Sequence, residues 1–203
     1  MPNLEMTIFL VDDDADIRSA LSRSLGLRGY VVEAHASAAK FLAALDPRRL
    51  GVLLLDYGLP EMNGLELQAH LAKIGVEMPI IFITGHGGVP ESVQAIKAGA
   101  LDFLEKPFRQ AVLIERIEAA FDLLRDNQNR NAVTRERDAL FSRLTAREAE
   151  IVERIIANPA EVSSKEIAAR LGISPRTVDH HRARILEKLG IRSLAELIAL
   201  AKG

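Results

Sequence analysis

Three runs of consecutive apolar residues, each followed by a helix-like segment, most constrain the fold of this chain. The runs are TIFLV, GVLLL and PIIFI, which begin at residues 7, 51 and 79. A strand with one face in water alternates apolar and polar residues, so these runs are typical of strands buried on both faces. Two shorter runs, VVEAH and LDFLE, complete five strands that alternate with helical segments. The sequence therefore predicts an α/β domain with a parallel sheet between two layers of helices.

The last third of the chain has a different pattern, because residues 144–203 read as four short helices with no strand between them. Thr145 and Glu148 form a capping box at the start of the first helix. Ser174 and Gly190 are the start and stop signals of the third helix. An all-α domain is therefore expected to follow the α/β domain.

A long helix is predicted between the two domains, since no Gly or Pro interrupts residues 108–144. Its apolar residues have the 3-4-3 spacing of a coiled-coil seam at Ile114, Ile117, Phe121 and Leu124, before the polar stretch DNQNRN. Two interpretations stay open: one long linker helix with a polar middle, or two helices with a flexible joint. We favour the long helix. The expected boundaries are 1–122 for the first domain, 123–141 for a helical linker that is a coiled-coil candidate, and 142–203 for the second domain.

Charge and composition narrow the class of protein. The net charge is −2, but residues 142–203 carry +3 and the remainder −5, which favours nucleic acid binding behind a charged-ligand site. The absence of cysteine excludes disulfides, zinc-thiolate sites and thiol nucleophiles. The N-terminus lacks the positive segment of a secretory signal, and no apolar run approaches the roughly 18 residues of a membrane helix. We therefore expect a cytoplasmic protein that does not enter membranes.

Polar side chains lie where the predicted strands end. Asp12 and Asp13 follow the first strand, Asp56 ends the third, Thr84 ends the fourth and Lys106 follows the fifth. Ligands of doubly wound sheets bind outside the carboxyl ends of the strands. Carboxylates brought together there need a cation, and oxygen donors suit Mg²⁺ or Mn²⁺. A carboxylate, a divalent metal and a lysine are what accepting a phosphoryl group on an aspartate requires.

These motifs closely resemble the receiver domain of two-component response regulators. The matching stretches are VDDD, LLLDYGLPEMNG, FITGHG and DFLEKPF, over about residues 5–122. The resemblance implies a flavodoxin-like (βα)5 fold in which a histidine kinase phosphorylates Asp56. Thr84 and Lys106 would hold the phosphoryl oxygens, and Phe103 would be an aromatic switch, although an aromatic residue on a strand is also a common core residue. His86 is open to two interpretations, tuning of the phosphate lifetime or an ordinary loop residue.

The resemblance also implies a metal site. Asp13, Asp56 and the backbone carbonyl of Gly58 would bind Mg²⁺ (or Mn²⁺), and Asp12 would act mainly through a bound water. Asp14 is expected to cap the first helix, where its charge meets the positive end of the helix dipole.

The segment SSKEIAARLGISPRTVDHHRARILEKLG predicts a helix-turn-helix with a basic second helix. With LTAREAEIV and RSLAELIALA it resembles the LuxR-type helix-turn-helix of the NarL/FixJ response regulators, over about residues 142–201, and the TGHG loop and long linker most resemble the FixJ branch. The resemblance implies a four-helix domain whose phosphate contacts are Arg176, Thr177, His181, Arg184 and Lys188. It places Asp179, His180 and Ala183 toward the bases, and makes the helix from Ser193 a candidate dimer contact.

Two features depart from that pattern. Asp179 lies where relatives often have Lys, and a carboxylate there can accept a hydrogen bond from cytosine N4, so we hypothesise that it shifts the sequence preference. The stretch NPAEVSS is longer than the usual turn, which predicts that the first helix of this domain ends early, at Pro159.

The sequence thus predicts a bacterial transcription regulator switched by phosphorylation of Asp56. Its expected partners are a cognate histidine kinase, promoter DNA and a second copy on phosphorylation, with RNA polymerase as a further candidate. An enzyme of the aspartyl-phosphate hydrolase class would need a second acid shortly after Asp56, where Tyr57 and Gly58 lie instead, so no enzyme is expected. Two alternatives stay open: a regulator that binds proteins and ignores DNA, and a regulator whose activity does not depend on phosphorylation.

Overall fold

The computed structural model describes residues 6–85, 89–159 and 163–202. The chain forms two compact units, residues 1–127 and 128–203. This division coincides with neither predicted domain boundary, and the boundaries at 122 and 141 stay predictions. Within the described residues the first unit contains the strands β1 (Thr7–Val11), β2 (Val31–His35), β3 (Gly51–Asp56), β4 (Ile80–Thr84) and β5 (Asp102–Glu105). Its helices are α1 (Ala15–Gly26), α2 (Ala38–Ala44), α3 (Gly64–Lys73), α4 (Val89–Lys97) and α5 (Gln110–Phe141), which continues beyond the division.

The five strands form one parallel sheet in the order β2-β1-β3-β4-β5. Val11 pairs with Leu55, and Thr84 pairs with Glu105. The predicted flavodoxin-like (βα)5 fold is confirmed. Its consequence for function is that β1, β3, β4 and β5 end at one edge of the sheet.

The sheet is buried on both faces, as the apolar runs predict. Alternate residues of β1 point to opposite sides, so Phe9 belongs to one core cluster with α2, α3 and α4, while Ile8 belongs to a second cluster with α1 and α5. Leu53 and Leu54 divide in the same way along β3. Each apolar run therefore fills two hydrophobic layers, which is why it has no polar alternation.

Helix α5 is continuous from Gln110 to Phe141, which confirms the interpretation that we favoured. The first apolar residues of this helix pack in the core of the first unit, and the coiled-coil candidate at 123–141 stays a prediction. Ile117, Phe121 and Leu124 are buried in the second core cluster of the first unit, and Ile114 packs against the same cluster. A stripe with 3-4-3 spacing fits a sheet as well as a partner helix, and here the sheet covers it.

Where the structure describes it, the second unit contains four more helices: α6 (Ala146–Ala157), α7 (Ser164–Leu171), α8 (Pro175–Leu189) and α9 (Leu194–Lys202). The capping box of Thr145 and Glu148 is present, and Ser174 caps α8. Gly172 ends α7 at φ +63°, a left-handed conformation that suits glycine and turns the chain toward α8. Helix α6 ends at Ala157, before Pro159, as predicted.

One core cluster holds the second unit together. It includes the buried residues Ile167, Ala168, Val178, Ile185 and Leu189, and the partly buried Leu171 and Ile173 pack against it. Among the helices that the structure describes, none is long and apolar enough to cross a membrane.

Candidate functional site

The edge where β1, β3, β4 and β5 end carries a cluster of polar side chains. Asp12, Asp56 and Thr84 are buried there, with 2%, 8% and 2% of their surface exposed. Lys106 follows β5, and its backbone N–H donates to the carbonyl oxygen of Thr84 over 2.7 Å. The strand register therefore brings four of the predicted site residues to one place.

The ammonium group of Lys106 lies between two carboxylates. Its Nζ is 2.8 Å from Asp12 Oδ2 and 3.1 Å from Asp56 Oδ1. Burial raises the pKa of Asp56 above its usual value, with Lys106 opposing this rise and the charge of Asp12 adding to it. Burial by itself would lower the pKa of Lys106, but its bonds to both carboxylates outweigh burial and raise it. The site therefore keeps a charged lysine against two acidic groups.

The loop between β1 and α1 gives its three aspartates different surroundings. Asp14 caps α1, and its Oδ1 accepts from the backbone N–H groups of Asp16 and Ile17, as predicted. Asp12 Oδ1 accepts from the backbone N–H of Asp14 over 2.9 Å. Arg18 Nη1 donates to the carbonyl oxygen of Asp12 over 2.8 Å. The backbone on both sides of Asp12 is thus fixed by the first turn of α1.

The loop after β3 holds the other carboxylate. The backbone N–H of Gly58 donates to Asp56 Oδ2 over 2.9 Å. Gly64, the first residue of α3, lies so close that a Cβ there would be 2.8 Å from the carbonyl oxygen of Asp56 and 2.6 Å from the ring of Phe82. Only a glycine fits between this strand end and the aromatic ring.

The donor groups at this edge are oxygens of the kind that Mg²⁺ and Mn²⁺ prefer. Asp12 and Asp56 share one cation, Lys106, so they are close enough to act together. Asp13 is exposed, and within the described ranges no group of three acidic or histidine side chains forms a ready metal cluster. The chemistry of the edge therefore fits a hard divalent cation, while the part of Asp13 stays a prediction.

Phe103 is half-buried on β5 and packs against Phe82, with ring centroids 6.3 Å apart. It lies against the first core cluster, so both its switch role and its core role remain consistent with its position. His86 lies outside the described residues.

The predicted DNA-contacting residues lie on α8. The side chains of Arg176, Thr177, Asp179, His180 and Arg184 are exposed, whereas His181 is half-buried. A face of α8 that is polar and open to solvent is what a recognition helix requires.

Lys188 has a different environment from the other predicted phosphate contacts. Its Nζ is 2.5 Å from Glu148 Oε2, and the side chain of Glu148 is only 1% exposed. The hydrogen bond from Lys188 lowers the pKa of Glu148 to about 2, with help from the Thr145 N–H. This ammonium group already links α8 to α6, and its proposed phosphate contact stays a prediction.

Sequence patterns did not reveal the contacts of three of these residues. Arg18 and Gly64 carry no local signal for their contacts, since each partner comes from a different element or from the loop beside it. Glu148 was read as a cap only. Glu148 belongs to a capping box and also lies on the apolar face of its helix. This combination could have predicted that its carboxylate is buried.

Known proteins resemble the chain in both units. Residues 8–118 match the response regulator receiver domain family, and residues 142–201 match the luxR family of bacterial regulatory proteins. The chain is 39% identical over 201 residues to the transcriptional regulatory protein FixJ of Rhizobium meliloti (strain 1021), with 97% of this chain and 95% of that protein covered. It is 35% identical over 195 residues to nodulation protein W of Bradyrhizobium diazoefficiens, with 96% and 85% covered.

Solved structures show the same likeness. The response regulator StyR superposes with a TM-score of 0.83 at 39% identity, covering 98% of each chain. Full-length FixJ from B. japonicum superposes with a TM-score of 0.61 at 36% identity, covering 98% of this chain and 97% of that one.

Proposed function

Because this chain belongs to the response regulators that join a receiver domain to a LuxR-type DNA-binding domain, we propose that phosphorylation of Asp56 controls its binding to promoter DNA. Members of this family are DNA-binding transcriptional regulators of two-component systems rather than enzymes. The observation that carries the proposal is the position of Lys106 between Asp12 and Asp56, because it places a fixed positive charge beside a buried carboxylate nucleophile.

The proposed reaction is phosphoryl transfer from a phosphohistidine of a cognate histidine kinase. A carboxylate oxygen of Asp56 forms a bond to phosphorus as the bond between phosphorus and the histidine nitrogen breaks. Such a transition state spreads negative charge over the phosphoryl oxygens, so positioned positive charge and hydrogen-bond donors accelerate it. Lys106 and the hydroxyl of Thr84 are the groups at this edge that supply them.

We assign the metal site to Asp12, Asp13, Asp56 and the backbone carbonyl of Gly58. Bound Mg²⁺ (or Mn²⁺) would neutralise charge on the transferred phosphoryl group. Asp12 and Asp56 already converge on one cation, and Arg18 together with the Asp14 cap holds the loop that presents Asp12 and Asp13.

The switch follows from the new charge on Asp56. The hydroxyl of Thr84, at the end of β4, moves toward the phosphoryl oxygens. The ring of Phe103, which packs on Phe82, changes its position in response. A local change at a packed strand end shifts the balance between two arrangements of the surrounding elements. The phosphorylated form pairs as a homodimer, which brings two copies of α8 to neighbouring half-sites.

In this proposal α8 reads the DNA. Arg176, Thr177, His181, Arg184 and Lys188 contact phosphates, while Asp179 and His180 lie toward the bases. The regulator acts on promoters in the bacterial cytoplasm, and RNA polymerase is a candidate partner there. We assign residues 1–122 to the receiver domain, 123–141 to the linker and 142–203 to the DNA-binding domain.

The test compares the full chain with Asp56→Asn after treatment with a small-molecule phosphodonor and Mg²⁺. Intact-mass measurement is expected to show one phosphoryl group on the wild type and none on the variant. DNA affinity, measured by mobility shift at two salt concentrations, is expected to rise on phosphorylation for the wild type alone and to fall as salt increases.

Asp46→Asn is the matched control, because Asp46 is a carboxylate of the same unit that pairs with Arg48 at the surface. It is expected to behave like the wild type. Equal DNA affinity of wild type and Asp56→Asn after treatment would refute the switch, and absence of any DNA binding would favour the regulator that binds only proteins.

A further inference from the structure

Ser164 connects the two helices of the helix-turn-helix through polar contacts. It is the first residue of α7, and its hydroxyl donates to Oδ1 of Asp179 on α8. Arg182 Nη1 donates to the same hydroxyl oxygen over 2.9 Å. A serine hydroxyl has one donor and two acceptor positions, so it can serve an anion and a cation at once. Ser164 therefore lies between a carboxylate and a guanidinium of the next helix.

The two partners of Ser164 lie on one side of α8. Asp179 and Arg182 are three residues apart, a spacing that puts side chains on neighbouring positions of a helix. Asp179 is exposed, and within the part of the chain that the structure describes its second oxygen, Oδ2, accepts no hydrogen bond. Ser164 thus holds one carboxylate oxygen of Asp179, and the other accepts no hydrogen bond from the residues that the structure describes.

We propose that Ser164 is a positioning residue for sequence recognition, which acts by fixing the carboxylate of Asp179. This inference rests on the proposed DNA recognition by α8 and deepens it. The fixed carboxylate accepts a hydrogen bond from a base amino group, cytosine N4 or adenine N6, in the major groove.

The gain from this arrangement is selectivity and not affinity. A carboxylate is repelled by DNA phosphates, so it adds nothing to nonspecific binding. Guanine O6 and thymine O4 are acceptors, and an acceptor placed against a fixed carboxylate leaves two unpaired groups. If the carboxylate could rotate away, the wrong base would be penalised less. Ser164 removes that freedom.

The experiment is selection of bound fragments from a randomised DNA pool with the full chain. The variants are Ser164→Ala, Ser164→Thr and Asp179→Ala, and the control is Ser142→Ala. The Ser142 hydroxyl is exposed, and it donates to the backbone of Ala139 within its own turn. Each variant is compared with the wild type in sequence preference, in the salt dependence of affinity and in melting temperature.

In Ser164→Ala, discrimination at one base pair per half-site is expected to fall about tenfold, toward the value for Asp179→Ala. Ser164→Thr keeps the hydroxyl and is expected to keep the preference. The salt dependence is expected to stay unchanged in all variants, and Ser142→Ala is expected to match the wild type.

Two outcomes would overturn the inference while leaving the proposed function intact. One is an unchanged profile in Ser164→Ala when the wild type still selects a sequence. The other is an equal loss of affinity for all sequences together with a lower melting temperature, which would make Ser164 a structural residue. A wild type that selects no sequence would instead refute the proposed function.

Discussion

Asp12, Asp13 and Asp14 are consecutive and identical, and the sequence predicts only part of the difference between their roles. The capping role of Asp14 was predictable, because a helix start is a local pattern. The contact between Asp12 and Lys106 joins residues 94 positions apart, so it could be expected only from the predicted sheet. The resemblance to receiver domains implies that Asp13 binds the metal directly and that Asp12 acts mainly through a bound water, whereas Asp12 is the residue that the structure buries beside Asp56.

Gly64 packs so closely against the end of β3 that its replacement should affect Asp56. A Cβ at this position would be 2.6 Å from the ring of Phe82 and 2.8 Å from the carbonyl oxygen of Asp56. Gly64→Ala is therefore expected to shift the end of β3, to slow phosphorylation of Asp56 severalfold and to lower the free energy of unfolding by about 1–3 kcal/mol. Phosphorylation rates with a small-molecule phosphodonor and thermal denaturation measure both effects.

Gly26→Ala is the matched control, since a Cβ at this helix position meets nothing within 4 Å. It is expected to phosphorylate at the wild-type rate and to be as stable as the wild type or slightly more stable. Similar behaviour of the two alanine variants would show that the close approach at Gly64 does not position Asp56. The crowding at Gly64 could not be predicted from the residues around it, because Phe82 lies on a strand 18 residues away.

Among the helices and strands, α5 shows that an apolar periodic pattern does not reveal which surface the helix packs against. Its length followed from the absence of Gly and Pro, and the structure agrees. The packing partner of its apolar residues could not be predicted, because a sheet and a second helix can both cover an apolar stripe of that width. Asp102 and Arg116, which are 2.7 Å apart, add a polar contact between β5 and α5 that no local pattern announced.

The ion pair of Glu148 and Lys188 fastens α8 to α6 and leads to a stability prediction. Lys188→Met leaves a buried carboxylate without its cation, which is expected to cost about 3 kcal/mol. The double variant Glu148→Gln with Lys188→Met keeps a capping side chain without the charge and is expected to recover most of that loss. Amide hydrogen exchange of α6 and α8 in the full chain measures the change. A double variant no more stable than Lys188→Met would contradict this account.

The same pair predicts how stability depends on pH. The pKa of Glu148 is about 2 in the folded protein, below its ordinary value of 4.5, because Lys188 and the Thr145 N–H stabilise the charged form. The unfolded chain therefore takes up this proton first as pH falls. The contribution of the Glu148 carboxylate to folding stability is complete above about pH 5 and is lost between about pH 4.5 and 2.

Glu148→Gln isolates this contribution. The difference in melting temperature between wild type and Glu148→Gln is expected to shrink as pH falls from 5 to 3. A constant difference across that range would show that the carboxyl group titrates normally in the folded state. Circular dichroism melts of both proteins at several pH values suffice for the measurement.

At the scale of the whole molecule, the sequence predicted both architectures because each has a strong repeating signal. Buried strands alternate with helices in one unit, and capped short helices follow in the other. Contacts between distant side chains, such as Ser164 with Asp179 and Lys188 with Glu148, could not be predicted, since they depend on how helices cross. The site at the sheet edge was predictable because register places strand ends together.

Dimerisation on phosphorylation is the prediction that involves the whole chain. Sedimentation of the wild type is expected to show a monomer before treatment with a phosphodonor and a dimer afterwards. Asp56→Asn is expected to stay monomeric under both conditions, and Asp46→Asn is expected to follow the wild type. A phosphorylated wild type that remains monomeric at every concentration would contradict this step of the proposal.

The strand order β2-β1-β3-β4-β5 also has a kinetic consequence. Every pairing in a parallel sheet joins segments separated by a whole helix, so the first unit folds by closing long loops, whereas helices of the second unit meet close neighbours in sequence. The first unit is therefore expected to fold more slowly. It is also synthesised first, and the ribosome takes roughly 4–15 s to add residues 128–203 at typical rates of elongation. The first unit, which is expected to fold more slowly, therefore has these seconds in which to fold before synthesis of the second unit is complete.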